Sequence, residues 1–242
     1  LVVLTIGMAA LIGANTNSGG QELPTDLANG TFVNANAVGV LLSSLVVGVL
    51  GVLIITGEYG TGQVRSTFTA DPRRTGVILA KATVLAIATF VVSAVATWIG
   101  VLISLPLLAG NGVEPELGDP SVFLPILGSS VFLTLLALLA YGIGLLVRSS
   151  AGGIAITLGL LLVVPGVLAL MSGLMKVDWP MDIMSFLPDS AGGQLYAYSY
   201  DGASAADNSG VVLNGWGGFG VLAAEVLVVG GLALTLARRR DV

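Results

Sequence analysis

The residues of this sequence best able to act together are Glu58, Arg65, Arg73, Arg74 and Lys81. They lie in the stretch TGEYGTGQVRSTFTADPRRTGVILAK, from Thr56 to Lys81, which holds four of the chain's nine basic residues. Such a set suits ion pairing and docking rather than covalent catalysis. The chain has no Cys and no His. That removes disulfides, thiolate or imidazole metal sites and any Ser-His arrangement. No G-x-x-x-x-G-K-[ST] pattern occurs, so the chain has no phosphate-binding loop of its own. Paired carboxylates inside apolar runs, a GxGD motif and a basic patch interleaved with aromatics for nucleic acid are also missing. Neither a catalytic residue nor a metal site is expected.

The elements that must position these charges follow from composition. Of 242 residues, 55% are hydrophobic and only 10% charged, with a mean hydropathy of +0.97. A soluble domain has about a quarter of its residues charged, so this chain cannot cover a water-facing surface. The apolar runs are long and continuous rather than alternating, which predicts an all-α, polytopic membrane protein built as one domain over residues 1–242. Six spans are expected, at about 1–13, 36–56, 74–108, 123–147, 152–175 and 216–237. The third is long and is expected to break near Pro106, and Pro165 should kink or weaken the fifth. The first reaches only about 20 Å of the roughly 30 Å required. Residues upstream of Leu1 are expected to complete it; a cleaved signal peptide competes, but no basic segment precedes the apolar run.

The charges then sort by side. With both termini inside, the cytoplasmic segments hold Arg65, Arg73, Arg74, Lys81, Arg148, Arg238, Arg239 and Arg240, and only Lys176 lies outside. Basic residues concentrate on the cytoplasmic side of membrane proteins, so this orientation is the expected one, in the cell membrane. The acids gather in the outer loops, scattered as on an ordinary solvated surface.

The opening stretch is therefore a cytoplasmic loop, residues 58–73, between the second and third spans. Gly60 and Gly62 are expected to end the second helix. Gln63–Ala70 has no breaker and can form a short interfacial helix. Asp71 followed by Pro72 reads as an N-cap and first helical position, so the third span should begin in the cytosol. Arg73, Arg74 and Lys81 then ride its first turns, where they can meet anionic headgroups. Glu58 sits at a helix C-terminus, disfavoured by the macrodipole and by nearby hydrocarbon. Arg65 is its expected partner, with Arg73 or Arg74 also in reach; the pair either folds the loop or serves docking.

The pattern G-E-Y-x-x-G-x-x-R-x-T, then P-R-R, then A-K resembles the membrane subunits of type-2 ATP-binding-cassette (ABC) exporters, small bacterial permeases above all. Two further elements are similar to that family: F-L-P-D-S-A-G-G, Phe186 to Gly193, and a Trp-led last helix closing with R-R-R-D. The resemblance implies that the loop forms a coupling helix docking on a separate ATPase subunit, with Glu58, Tyr59, Gly62, Arg65, Thr67 and Phe68 as docking and loop-shaping residues. It implies a permease half that pairs with an identical or homologous half. Two ATPase subunits bind ATP and magnesium, and this chain holds no cofactor. It also implies that the second span, with Gly39 and Ser43, lines the substrate path. Short helices in the external segment 176–215, around Phe186, Leu187 and Pro188, would form an outer gate; the bland alternative is a surface loop anchored by its Trp and Tyr residues.

Glu225 departs from the family pattern. It lies nine residues into the last span, and an acid within a membrane segment is a functional candidate by default. Small residues recur four apart at Ala35, Gly39 and Ser43, at Ser44 and Gly48, at Ala96 and Gly100, and at Gly220 and Ala224. They allow close helix contact, chiefly within the chain. The expected function is the membrane subunit of an ATP-driven exporter working by alternating access, with a hydrophobic or amphipathic cargo such as a drug, lipid or lipopeptide. The competing readings are an ion-coupled secondary carrier using Glu225 and a non-transporting membrane scaffold.

Overall fold

The computed structural model describes residues 24–61, 74–110, 112–199, 211 and 213–239, with isolated positions between 3 and 14. Among the described residues all regular structure is helical. Helix α1 is Thr25–Thr61, α2 is Arg74–Ala109 and α3 is Pro120–Val147. Helix α4, Ser150–Leu158, passes through a π-helical turn, Gly159–Val163, into α5, Val164–Met175. Two short helices follow, α6 (Trp179–Ser185) and α7 (Pro188–Gly193), and α8 is Gly215–Arg239. Five segments are long and apolar enough to cross a membrane: α1, α2, α3, the α4–α5 run and α8. They correspond to the second to sixth expected spans. The expected first span, 1–13, is described only at isolated positions. The coupling helix Gln63–Ala70 and Gly62, Arg65, Thr67, Phe68, Asp71, Pro72 and Arg73 lie outside the described residues, as does the Arg74 side chain.

Local chemistry sets the helix ends. Asp119 caps α3 by accepting from the Ser121 N–H at 2.9 Å, with Pro120 in the first turn. Ser149 caps α4 by accepting from Gly152 N–H at 3.3 Å. Asn214 caps α8 by accepting from Gly217 N–H at 2.7 Å. Only Arg148 and Ser149 separate α3 from α4, and Arg148 closes α3 in the left-handed region at φ 56°.

Three expected boundaries differ. Helix α1 begins at Thr25, not near Asn36, because the segment ahead of Asn36 is packed in the bundle: Ala28, Asn29 and Phe32 are buried, after an exposed first turn. Asn29 is fully buried, and its Oδ1 accepts from the Glu116 N–H at 2.8 Å. At the other end α1 runs through Gly60 to Thr61, so Gly60 does not terminate it. Helix α2 continues through Pro106 to Ala109 without a break. In the fifth span the π-helical turn sits just before Pro165. Proline lacks an N–H and crowds the carbonyl four residues earlier, and a widened turn accommodates both defects.

Helix α3 is the central column. α1 and α8 run parallel to it, and α2 and the α4–α5 run are antiparallel. Glycines let the helices meet at backbone distance. A Cβ on Gly51 of α1 would lie 2.6 Å from the Ala137 carbonyl oxygen of α3. One on Gly144 would lie 3.1 Å from the Val52 carbonyl oxygen, and one on Gly153 of α4 would lie 2.6 Å from Val52 Cγ1. Gly48 meets Thr157 of α4 in the same way, whereas Gly220 has nothing within 4 Å. Buried polar groups add ties in the other half of the bundle: Asn36 Nδ2 donates to the Phe32 carbonyl at 2.9 Å and to Ser104 Oγ at 3.4 Å, and Thr97 and Ser129 hydroxyls lie 3.4 Å apart.

This topology segregates the charges. Lys81 and Arg148 share the end at which α8 finishes in Arg239. Asp26, Glu114, Glu116, Asp119, Asp178 and Asp189 share the opposite end, with Lys176. Gly51→Ala is expected to destabilise the purified protein by about 1–3 kcal/mol, because the added methyl overpacks a backbone contact. Gly220→Ala should stay within about 0.5 kcal/mol. Thermal unfolding of both variants in one detergent checks the contrast.

Candidate functional site: the polar end of the bundle

Four cross-helix contacts converge where α1 ends, α2 begins and α3 turns into α4. The Lys81 ammonium of α2 donates to Glu58 Oε2 of α1 in an ion pair. The Arg148 guanidinium stacks 5.3 Å above the Tyr59 ring. The Tyr141 hydroxyl of α3 donates to the Ile78 carbonyl of α2 at 3.1 Å. Ser150 Oγ donates to Thr56 Oγ1 at 2.9 Å, and Thr56 in turn donates to the Val52 carbonyl.

Each contact has a local cause. Glu58 and Lys81 lie 23 positions apart in sequence but face each other because α1 and α2 are antiparallel neighbours on α3. Lys81 is seven residues into α2, about 10 Å below its start, so its long side chain can reach back to the end of α1. Arg148 holds a left-handed conformation that costs a non-glycine residue on the order of 1 kcal/mol. Its N–H bonds to the Gly144 carbonyl at 2.9 Å, and its guanidinium gains a cation–π contact of similar size. These ties bracket residues 62–73: Glu58 and Tyr59 stand at the foot before them and Lys81 at the foot after them.

The expected partner of Glu58 was an arginine of the loop, whereas its pairing with Lys81 is the one described here. The sequence places Lys81 in the first turns of the third span, where it can meet anionic headgroups, and does not pair it with Glu58. A lysine two turns inside an apolar helix carried the signal for an internal partner, since a charge at that depth calls for one.

Other expected site residues fall elsewhere. Gly39 and Ser43 are buried inside the bundle. Glu225 lies on α8 between Leu222, which faces Phe132 and Gly192, and Val229, which meets Gly142 of α3. Its Oε2 is buried with no hydrogen-bond partner among the described residues. At the opposite end Phe186 is exposed while Leu187 and Pro188 are buried. The Ala-Gly pair of F-L-P-D-S-A-G-G serves close contact. Ala191 is fully buried, and a Cβ on Gly192 would overlap the Phe132 ring. Tyr196 packs its ring 5.2 Å from that of Phe132, so α7 and the turn after it are locked onto α3. Burial pushes the Asp189 carboxyl above the usual carboxylate range. Burial, with the Asp189 charge adding to it, also raises the Tyr196 phenol.

Two outcomes follow. Glu58→Lys and Lys81→Glu should each lower the thermal midpoint, and the double exchange should recover part of the loss. The pair is about a quarter exposed, so a coupling of about 1 kcal/mol is expected in a double-mutant cycle. For Asp189 the raised folded-state pKa means its stability contribution is fully present below the unfolded value of 3.8 and is lost as pH rises through the folded value. Asp189→Asn should therefore unfold at a higher temperature than wild type at pH 7. The difference, about 1 kcal/mol, should shrink as pH falls towards 4. Comparison with protein-family models, with curated proteins and with solved structures returned no match, so the chemistry of this end rests on its own residues.

Proposed function

We propose that this chain is the membrane subunit of an ATP-driven exporter resembling the type-2 ABC permeases, working as a dimer with two separate ATPase subunits. The observation that carries the reading is the Glu58–Lys81 pair. It joins the second residue of G-E-Y-x-x-G-x-x-R-x-T to the lysine of A-K, the two ends of the motif on which the resemblance rests. A loop whose feet are cross-tied moves both attached helices together. Displacement of residues 62–73 by an ATPase would thus tilt α1 and α2 as a unit, and α3 with them through Tyr141 and Ile78. A ligand shifts a two-state equilibrium only through its different affinity for the two states; ATP acts here by changing what the loop touches. Both termini lie on the cytoplasmic side, in keeping with the basic end of the bundle. The cargo is hydrophobic or amphipathic, and α6 and α7 with Phe186 and Leu187 border its exit.

A second reading, an ion-coupled carrier, is favoured by one feature: the buried Oε2 of Glu225 within the last span, which has no hydrogen-bond partner among the described residues. The two part experimentally. Purification of the tagged full chain from its host in mild detergent should bring down a P-loop ATPase in stoichiometric amount. Glu58→Arg or Arg65→Glu should reduce ATPase recovery or substrate-stimulated hydrolysis severalfold while the helical circular dichroism stays unchanged. Isolation of the chain alone, with transport that survives ATP depletion but stops in Glu225→Gln, would replace the exporter reading by the carrier.

A further inference from the structure

An open groove of about 360 Å³ runs between α1 and α2 beside the ion pair, a volume within the range of small-molecule sites. Ile54 and Glu58 line it from α1, and Lys81, Val84, Leu85 and Ala88 from α2. The α2 residues share one helix face, and Lys81 to Ala88 spans about 10 Å of rise. The groove therefore has a charged mouth at the basic end of the bundle and an apolar floor descending towards the middle of the membrane. Val84 is 66% exposed, so the described residues leave the floor uncovered.

The mouth has a specific chemistry. An ammonium carries three donors. Glu58 takes one from Lys81, and no second acceptor for Lys81 lies among the described residues. An ammonium donor beside hydrocarbon carries a desolvation cost that an anionic oxygen relieves. The anionic group that arrives in a membrane with its own apolar tail is a phospholipid phosphate. Glu58 lies beside it, and a carboxylate has room for several donors. Its charge repels a head group of net negative charge and attracts one that ends in an amine.

We infer that the α1–α2 groove is a binding site for a zwitterionic phospholipid with a primary-ammonium head group. Its phosphate lies on Lys81, its ammonium on Glu58, and an acyl chain on Val84, Leu85 and Ala88. The bound lipid touches both feet of the 58–81 segment. The inference stands apart from the exporter reading, because it needs only this chain and a bilayer.

The test is lipid binding by the purified full chain, read by native mass spectrometry during titration with phosphatidylethanolamine, phosphatidylglycerol and phosphatidylcholine. Phosphatidylethanolamine should bind about tenfold more tightly than either of the others. Val84→Trp fills the groove but leaves the ion pair, and should weaken that binding about tenfold. Glu58→Gln should move the preference to phosphatidylglycerol, and Lys81→Met should abolish head-group selectivity. Size-exclusion profile and circular dichroism establish that each variant is folded; Val84→Trp, at an exposed position, keeps the test open if the charge variants are not. Equal or tighter binding of phosphatidylglycerol or phosphatidylcholine to the wild-type chain overturns the assignment, as does unchanged binding in Val84→Trp.

Discussion

Helices α1 and α3 can approach to backbone distance because Gly51 and Gly144 carry no side chain where they cross. In a bilayer apolar side chains gain little by leaving lipid for protein, so association depends on close packing and on polar ties. Removing a Cβ on each side brings peptide groups and the aliphatic branches of Val52 and Ile55 into direct contact. Gly153 of α4 makes the same close approach to Val52, and Gly142 of α3 admits Val229 of α8. Everything at the two ends of the bundle inherits its geometry from that column.

At the basic end the inheritance is electrostatic. Because α1 and α2 both lean on α3, Glu58 and Lys81 are held opposite each other, and Tyr59 lies under Arg148. Neither contact is strong alone at partial exposure. Together with the Tyr141–Ile78 and Ser150–Thr56 bonds they tie α1, α2, α3 and α4 to one another at this end. At the acidic end the lock is steric: Gly192 and Gly128 admit Phe132 and the Leu195 carbonyl, and Tyr196 covers the joint. Beside the basic end, the modest contact between α1 and α2 leaves the groove whose mouth the ion pair forms.

Much of this was legible in one dimension, and the exceptions share a cause. Asn29 is a polar residue in front of an apolar run and reads as loop, yet it lies inside α1. Its Oδ1 accepts from the Glu116 N–H, a partner 87 positions away. Pro106 reads as a break, but membrane helices tolerate proline where neighbours re-satisfy the freed backbone, and α2 continues past it. Pro165 was recognised as a defect; the form it takes, a π-helical turn, depends on packing on both sides. Lys81, the described partner of Glu58, is brought to it by an antiparallel crossing that sequence distance does not show.

By itself the sequence determined what is additive and local. Continuous hydropathy specifies membrane-spanning helices and nearly where they lie, and the distribution of Arg, Lys, Asp and Glu specifies two ends of opposite character. What pairs with what was decided only by the tertiary structure. The partner of Glu58, the steric purpose of Gly192, the burial of Asp189 and the groove beside Lys81 all arise where separate helices meet. Such meetings depend on crossing geometry, which distant residues set jointly and no single stretch of chain encodes.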